Sequence, residues 1–176
     1  MKWPALPPLQ TERLELRLPG PDDLGPAIAF GQSERTRFIG GRTEPFGAYR
    51  GVLASIGHWT LRDYGMWAVH LRETGEMIGR IGVIFHDFPG GWTEPELGWQ
   101  LFDGFEGKGY ALEAARAAKA DYHARITRHP LISHIDPKNT RSAALARRMG
   151  AEIEGERLLI GDPVQVWRHT GPEDLA

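Results

Sequence analysis

Charged residues alternate with leucine in 12-ERLELRL-18, a period of two that predicts a strand with Leu14, Leu16 and Leu18 turned inward. After the turn 19-PGPD-22, Asp22 or Asp23 is placed to cap a helix through about Gln32. Tyr49, Val52, Leu53, Ile56 and Trp59 then recur at helical spacing and predict an amphipathic helix over 47–62, stopped near Gly65. The β-formers of 66–72 and 77–85, joined by ETGE, predict a hairpin, and 95–102 predicts a further strand.

A helix follows from Tyr110 to Arg125, then a short buried strand over 131–136. Asp136 and Pro137 fit an N-cap followed by proline at the first helical position, and that helix runs through Met149 to a C′ residue at Gly150. Strands over 152–160 and 163–169 close the chain. This order predicts a single α/β domain over 1–176, built on a sheet of mixed direction.

One segment stands out against this regular pattern. In 106-EGKGYALEAA-115, Gly107 and Gly109 link a strand to a helix whose small face carries Ala111, Ala114, Ala115 and Ala118. The first turn of a helix exposes unpaired N–H groups and partial positive charge, which favours phosphate. A tight turn needing glycine for its own geometry explains the same residues equally well. The spacings GxxxxGK and GxGxxG are absent, which weakens ATP and dinucleotide readings. In 136-DPKNTRSAALARRMGA-151, Asn139 and Ser142 fall three apart on the first turn of the next helix. They can either face the glycine loop or serve as a cap and an ordinary early helical position. Lys138, Arg141, Arg147 and Arg148 make that helix basic, the pattern of a solvated face.

Composition narrows the chemistry. The formal net charge of −2 gives no bulk electrostatic case for nucleic acid or an anionic membrane. With no cysteine, disulfides, thiolate-ligated zinc and any thiol-based covalent mechanism are excluded. No signal peptide and no run of about 20 apolar residues is present, so a cytoplasmic protein without membrane partners is expected.

Taken together, 12-ERLELR-17, 95-PELGWQL-101, 106-EGKGYALEAA-115 and Asn139 with Ser142 before 149-MGAEIEGE-156 resemble the GNAT superfamily of acyl-CoA-dependent N-acetyltransferases. Within it, the ribosomal-protein-alanine (RimJ/RimL-type) branch is the nearer likeness, over about residues 10 to 168. The resemblance implies a mostly antiparallel central sheet with flanking helices and a V-shaped opening between strands 95–102 and 131–136. It implies acetyl-CoA as co-substrate, no metal, and direct transfer to a small-molecule or peptide amine, with a homodimer as one expected assembly. The pantetheine arm would lie along Leu101 and Phe102. The pyrophosphate loop would be Glu106, Gly107, Lys108, Gly109, Tyr110 and Ala111, with Asn139 and Ser142 near the pantetheine and the sulfur. Glu106 departs from the family's Arg or Gln at its position, which puts a carboxylate where phosphate is expected.

An alkyl ammonium with pKa near 10 must lose its proton before it attacks a thioester. Glu96, on the same strand face as Gly98, Gln100 and Phe102, is the first candidate acceptor, and His134 the second, with Glu94 and Asp103 behind them. The tyrosine with which many relatives protonate the leaving thiolate is missing from the Asn139 helix, so Ser142 or water takes that role. Trp59, Tyr64, Trp67, Trp92 and Trp167 are available to line an acceptor pocket, though most are expected in the core. A non-catalytic acyl-CoA sensor and a nucleotide-binding protein are the alternatives.

Overall fold

A computed structural model describes residues 5–88, 92 and 94–172. The strands are β1 (Leu9–Gln10), β2 (Leu14–Arg17), β3 (Met66–Leu71), β4 (Met77–Ile84), β5 (Glu96–Leu101), β6 (Ile132–Ile135), β7 (Glu152–Leu159) and β8 (Asp162–Arg168). The helices are α1 (Leu24–Gly31), α2 (Pro45–Arg62), α3 (Tyr110–Arg125) and α4 (Thr140–Arg148). The strands form one sheet in the order β1-β2-β3-β4-β5-β6-β8-β7. Every neighbouring pair is antiparallel except β5 and β6.

That exception makes the expected opening. β5 and β6 pair at a single register position, Glu96 opposite Ile132, and then part. At the fork the Ser133 hydroxyl donates to the Leu97 carbonyl at 2.6 Å, standing in for a ladder bond. Because Ser133 gives its only hydrogen to Leu97, it accepts from His169 Nε2–H at 2.8 Å. His169 is fully enclosed, and its pKa is pushed down to about 3 by burial first and by the nearby positive charges of Lys119, His123 and Arg168 second.

The main core lies between the sheet and α3. Leu14, Leu16, Ile81, Val83 and Leu97 meet Ala114, Ala115 and Ala118, whose small side chains let the helix ride close to the strands. Leu18 packs at the edge of this cluster, partly exposed. On the other face, Ala27 of α1 and Val52 of α2 cover Ala68 and Met77. Trp59, Trp67, Trp167 and Tyr64 are all buried core residues, whereas Trp92 is partly exposed.

Several expected boundaries and faces change. Helix α2 begins at Pro45, a residue pre-set for the first helical position, and ends at Asp63 in the left-handed region, not at Gly65. Gly65 has a different task, since a Cβ there would lie 2.7 Å from the Trp59 indole nitrogen, which donates to the Met66 carbonyl at 3.0 Å. Tyr49 and Leu53, expected on the inner stripe of α2, are exposed at 40% and 42%, and Ala48 takes the inner position with Val52 and Trp59. Asp23 precedes α1 but makes no cap bond. Its carboxylate instead accepts from Gly20, Arg17 and His70. Burial alone would raise its pKa, yet those bonds hold it down at about 2. The cap of α4 is Asn139, whose Oδ1 accepts from Ser142 N–H at 3.2 Å; Asp136 closes the preceding turn by accepting from Lys138 N–H at 2.7 Å. The two-residue β1 and a 3₁₀ turn over Glu34–Phe38 are additional.

Candidate functional site

The divergence of β5 from β6 opens a cavity of about 770 Å³ between the end of β5, the starts of α3 and α4, and the segment after α1. Trp99, Gln100 and Leu101 form its floor, and Gly107, Gly109, Tyr110 and Ala111 one end. Asn139 and Ser142 line one side, Phe30, Arg35 and Phe38 the other. Of the residues expected from sequence, Leu101, Glu106, Gly107, Gly109, Tyr110, Ala111, Asn139 and Ser142 are thus brought together.

The glycine loop presents backbone to this cavity. The first bond of α3 runs from Glu113 N–H to the Gly109 carbonyl, which leaves the amides of Tyr110, Ala111 and Leu112 without a partner inside the helix. Gly107 and Gly109 have φ of 75° and 85°, values that side-chain-bearing residues rarely adopt. The lining is basic, with Arg35, Arg37, Lys138, Arg141 and Arg148 against Glu34 and Glu106. A bare row of amides at a helix start beside five cations fits a diphosphate.

Glu106 does not oppose that fit, because its charge is already engaged. One oxygen lies 2.5 Å from Arg35 Nη1 and 3.6 Å from Arg141 Nη1, and the other accepts from Gly104 N–H at 2.9 Å. Its pKa stays below the usual carboxylate value although burial alone would raise it, because backbone hydrogen bonds and the two arginines favour the charged form. Lys108 is exposed, its ammonium over the Phe105 ring, and it does not line the cavity. Phe102 also lies outside the lining: its N–H donates to Ile78 of β4, and its ring stacks on Phe30.

Behind the loop stands a brace that sequence reasoning missed. Arg13 donates from Nη1 to the Lys108 carbonyl at 2.8 Å and pairs with Glu113 through Nε and Nη2 at 2.7 and 2.6 Å. Glu113 also accepts from Arg13 N–H and the Thr11 hydroxyl. Arg13 further covers the Tyr110 ring at 4.5 Å. About 100 residues separate these partners in the chain, so only the fold reveals the contact. Arg35 was missed for a related reason: it sits in a short 3₁₀ turn without a period to announce it.

At the other end, Trp99 Nε1–H donates to Ser142 Oγ at 3.1 Å, which leaves the serine hydrogen free to be donated. Glu96 and His134 are brought together, but outside the lining. The carboxylate accepts from Trp92 Nε1–H, from His134 N–H at 3.2 Å and from His134 Nδ1–H at 2.9 Å. With Nδ1–H committed, the neutral ring carries its lone pair on Nε2, which has no partner and is sealed from solvent. Glu94 is paired with Arg168, and Asp103 is exposed beside Arg35.

The comparisons agree with this geometry. A family model described as an acetyltransferase (GNAT) domain matches residues 13–152. A crystal structure of an acetyltransferase from Agrobacterium tumefaciens str. C58 has a TM-score of 0.82 at 31% identity, over 97% of this chain and 98% of that one. RimL, the ribosomal L7/L12 alpha-N-protein acetyltransferase, in complex with coenzyme A, has a TM-score of 0.73 at 19% identity, over 93% and 97%, a likeness of fold. The uncharacterized N-acetyltransferase YnaD of Bacillus subtilis (strain 168) is 32% identical over 87 residues, 49% of each chain; the match spans about half the length of that curated relative.

Proposed function

Because the chain belongs to the GNAT acetyltransferase family, we propose that it moves an acetyl group from acetyl-CoA to a primary amine by direct transfer in a ternary complex. The observation that carries this reading is the continuous cavity from the unpartnered amides of α3 to Ser142 and Gln100. Bound acetyl-CoA supplies the acetyl group as an activated thioester.

The chain's own residues do the rest. The amides of 107–111 hold the diphosphate, with Arg35 and Arg141 adding charge. The backbone at Leu101 faces the pantetheine arm. Glu96 accepts the proton of the incoming ammonium through water, its carboxylate fixed by His134 Nδ1–H and Trp92 Nε1–H, while His134 Nε2 stays sealed from solvent. Ser142, set by Trp99, donates a hydrogen bond to the departing sulfur as the C–S bond breaks, and the proton that the newly acylated nitrogen sheds passes through water to that thiolate. Positioning contributes much of the rate, because both reactants are held in one cleft. A protein N-terminus, in keeping with RimL as an alpha-N-protein acetyltransferase, and a small metabolite are the two acceptor classes.

One observation favours a second reading, a non-catalytic acyl-CoA-binding sensor: neither Glu96 nor His134 lines the cavity. Release of free CoA from acetyl-CoA across a panel of amines and peptides separates the two. Transfer predicts turnover that falls by about 100-fold in Glu96→Gln, with the KM for acetyl-CoA little changed. Tight acetyl-CoA binding without turnover on any amine makes the protein a sensor.

A further inference from the structure

Arg80 is a cation inside the sheet with no anion to match it. It lies on β4 opposite Gln100 of β5, partly buried, and donates from Nε and Nη2 to Gln100 Oε1 at 3.2 and 2.8 Å. Among the described residues no carboxylate pairs with it, and burial pushes its guanidinium below the usual value without a compensating charge. Among the described residues its Nη1 has no bonding partner, and it is not sealed from solvent, although Arg80 stands behind Gln100 and outside the cavity lining. A guanidinium keeps its charge in such a setting, so a partner of opposite sign is wanted there.

The same two bonds fix Gln100. A glutamine amide can normally be turned end for end, but here Oε1 receives two N–H groups, so the Nε2 donors occupy the free side. Gln100 lines the cavity. Strand alternation places Glu96 and Gly98 on the same face as Gln100. Gly98 leaves that face bare, the nearest atoms to a Cβ built there being those of Met66 at 3.9 and 4.0 Å. The face therefore carries a cationic, donor-only end at Arg80 and Gln100, a bare middle, and the Glu96–His134 pair at the other end.

We propose that Arg80 and Gln100 bind the carboxylate of the acceptor, which makes that acceptor a small free amino acid and not the N-terminus of a protein. The inference rests on the acetyl-transfer reading for the amine's fate, but not for the carboxylate site. An amino acid carries both charges; because four strand residues, about 13 Å, separate Gln100 from Glu96, the carboxylate sits at Arg80 and Gln100 and water links the amine to Glu96. A peptide N-terminus offers a neutral amide carbonyl where the amino acid offers a carboxylate, and that leaves the guanidinium unmatched.

The test uses product-like ligands, so it needs no turnover. N-acetyl derivatives of the common amino acids and the corresponding amides are titrated calorimetrically into the CoA-saturated protein. At least one acid is expected to bind tenfold or more tightly than its amide. That preference should fall to about one in Arg80→Met and survive in part in Arg80→Lys, with CoA affinity unchanged within about twofold. Gln100→Glu supplies Arg80 with an internal counter-ion: it should raise Tm and abolish the preference, an outcome that remains readable if Arg80→Met folds poorly. No preference for any acid, or the same preference in Arg80→Met and Gln100→Glu, overturns the proposal. Acid preference without CoA release on any amine removes the transfer reading and leaves the carboxylate site standing. CoA release with peptides and no acid preference does the reverse.

Discussion

At the loop end of the cavity every bracing charge has a partner of opposite sign: Arg13 with Glu113, and Arg35 and Arg141 with Glu106. On the β4–β5 face and at the fork, the polar groups are enclosed and short of partners. Arg80 meets only an amide, His134 Nε2 meets nothing, and His169 is held uncharged. The first region can bind with its backbone because side-chain charges settle one another and fix the loop. The second has to bind or react through side chains, because among the described residues Arg80 is left without an opposite charge and no row of free amides lies beside it. An exposed pair is cheap to keep and worth little. A buried group without a partner is costly and calls for a ligand or a chemical task to explain it.

The largest expected effect attacks the backbone half of this contrast. Gly109 has φ of 85°, and a Cβ there would sit 3.3 Å from Arg13 Nη2. In Gly109→Val a β-branched residue is forced into the left-handed region and against the brace, so the loop must rearrange. CoA affinity should fall by about 100-fold, near 3 kcal/mol, in calorimetric titration. Unchanged affinity would mean that the loop does not hold the diphosphate.

Next comes the enclosed half, read through acid. The unfolded chain takes up a proton on His169 near pH 6.5, and the folded protein resists until about pH 3, so the folded state binds fewer protons between those values. Stability from this group is whole above pH 6.5 and drains as pH falls, by about 1.4 kcal/mol per unit at most. Asp23 adds a second loss lower down, between about 3.8 and 2. Denaturant melts of His169→Asn should lose less stability than wild type between pH 6.5 and 4.5. Parallel slopes would remove the buried imidazole from the account.

How far the sequence carried these two regions follows from range. Period-two and helical patterns located each of the longer elements, since each reports only on near neighbours in the chain. The glycine loop, Asn139 and Ser142 were legible for the same reason. Arg13 was inside a quoted strand, yet its role depends on Glu113, 100 residues away. Arg80 carried no signal at all: it interrupts 77-MIGRIGVIF-85 like any surface charge in a strand, and only the fold reveals that no acid faces it. Tyr49 and Leu53 misled because helical spacing predicts a stripe without saying how wide the buried part is.

A smaller effect is expected from the brace behind the loop. Glu113 fixes Arg13 and Thr11 in an ion pair that is partly open to solvent. Glu113→Gln keeps one acceptor oxygen and loses the charge, so the stability cost should be about 1–2 kcal/mol. CoA affinity should fall by about tenfold through the loosened loop. Arg13→Gln should do the same, and the double variant should be no worse than either alone, as a shared brace requires. Full additivity would mean that the two side chains act separately.

The smallest expected effect belongs to Glu106, the residue that departs from the resembled pattern. A bare carboxylate beside a diphosphate would repel it, and its replacement would then tighten CoA binding tenfold or more. Here Arg35 and Arg141 share that charge and Gly104 N–H occupies the second oxygen. Glu106→Gln removes one negative charge but also frees two guanidinium groups from the position it gave them, and the gain in attraction is offset by the loss of placement. The Kd for CoA should therefore change by less than about threefold, under 0.7 kcal/mol. Arg35→Gln should weaken binding more than Glu106→Gln changes it, because it leaves the carboxylate with only the more distant, exposed Arg141. A tenfold gain in Glu106→Gln would show that the pairing breaks when CoA binds, and would turn Glu106 from a brace for Arg35 into a gate.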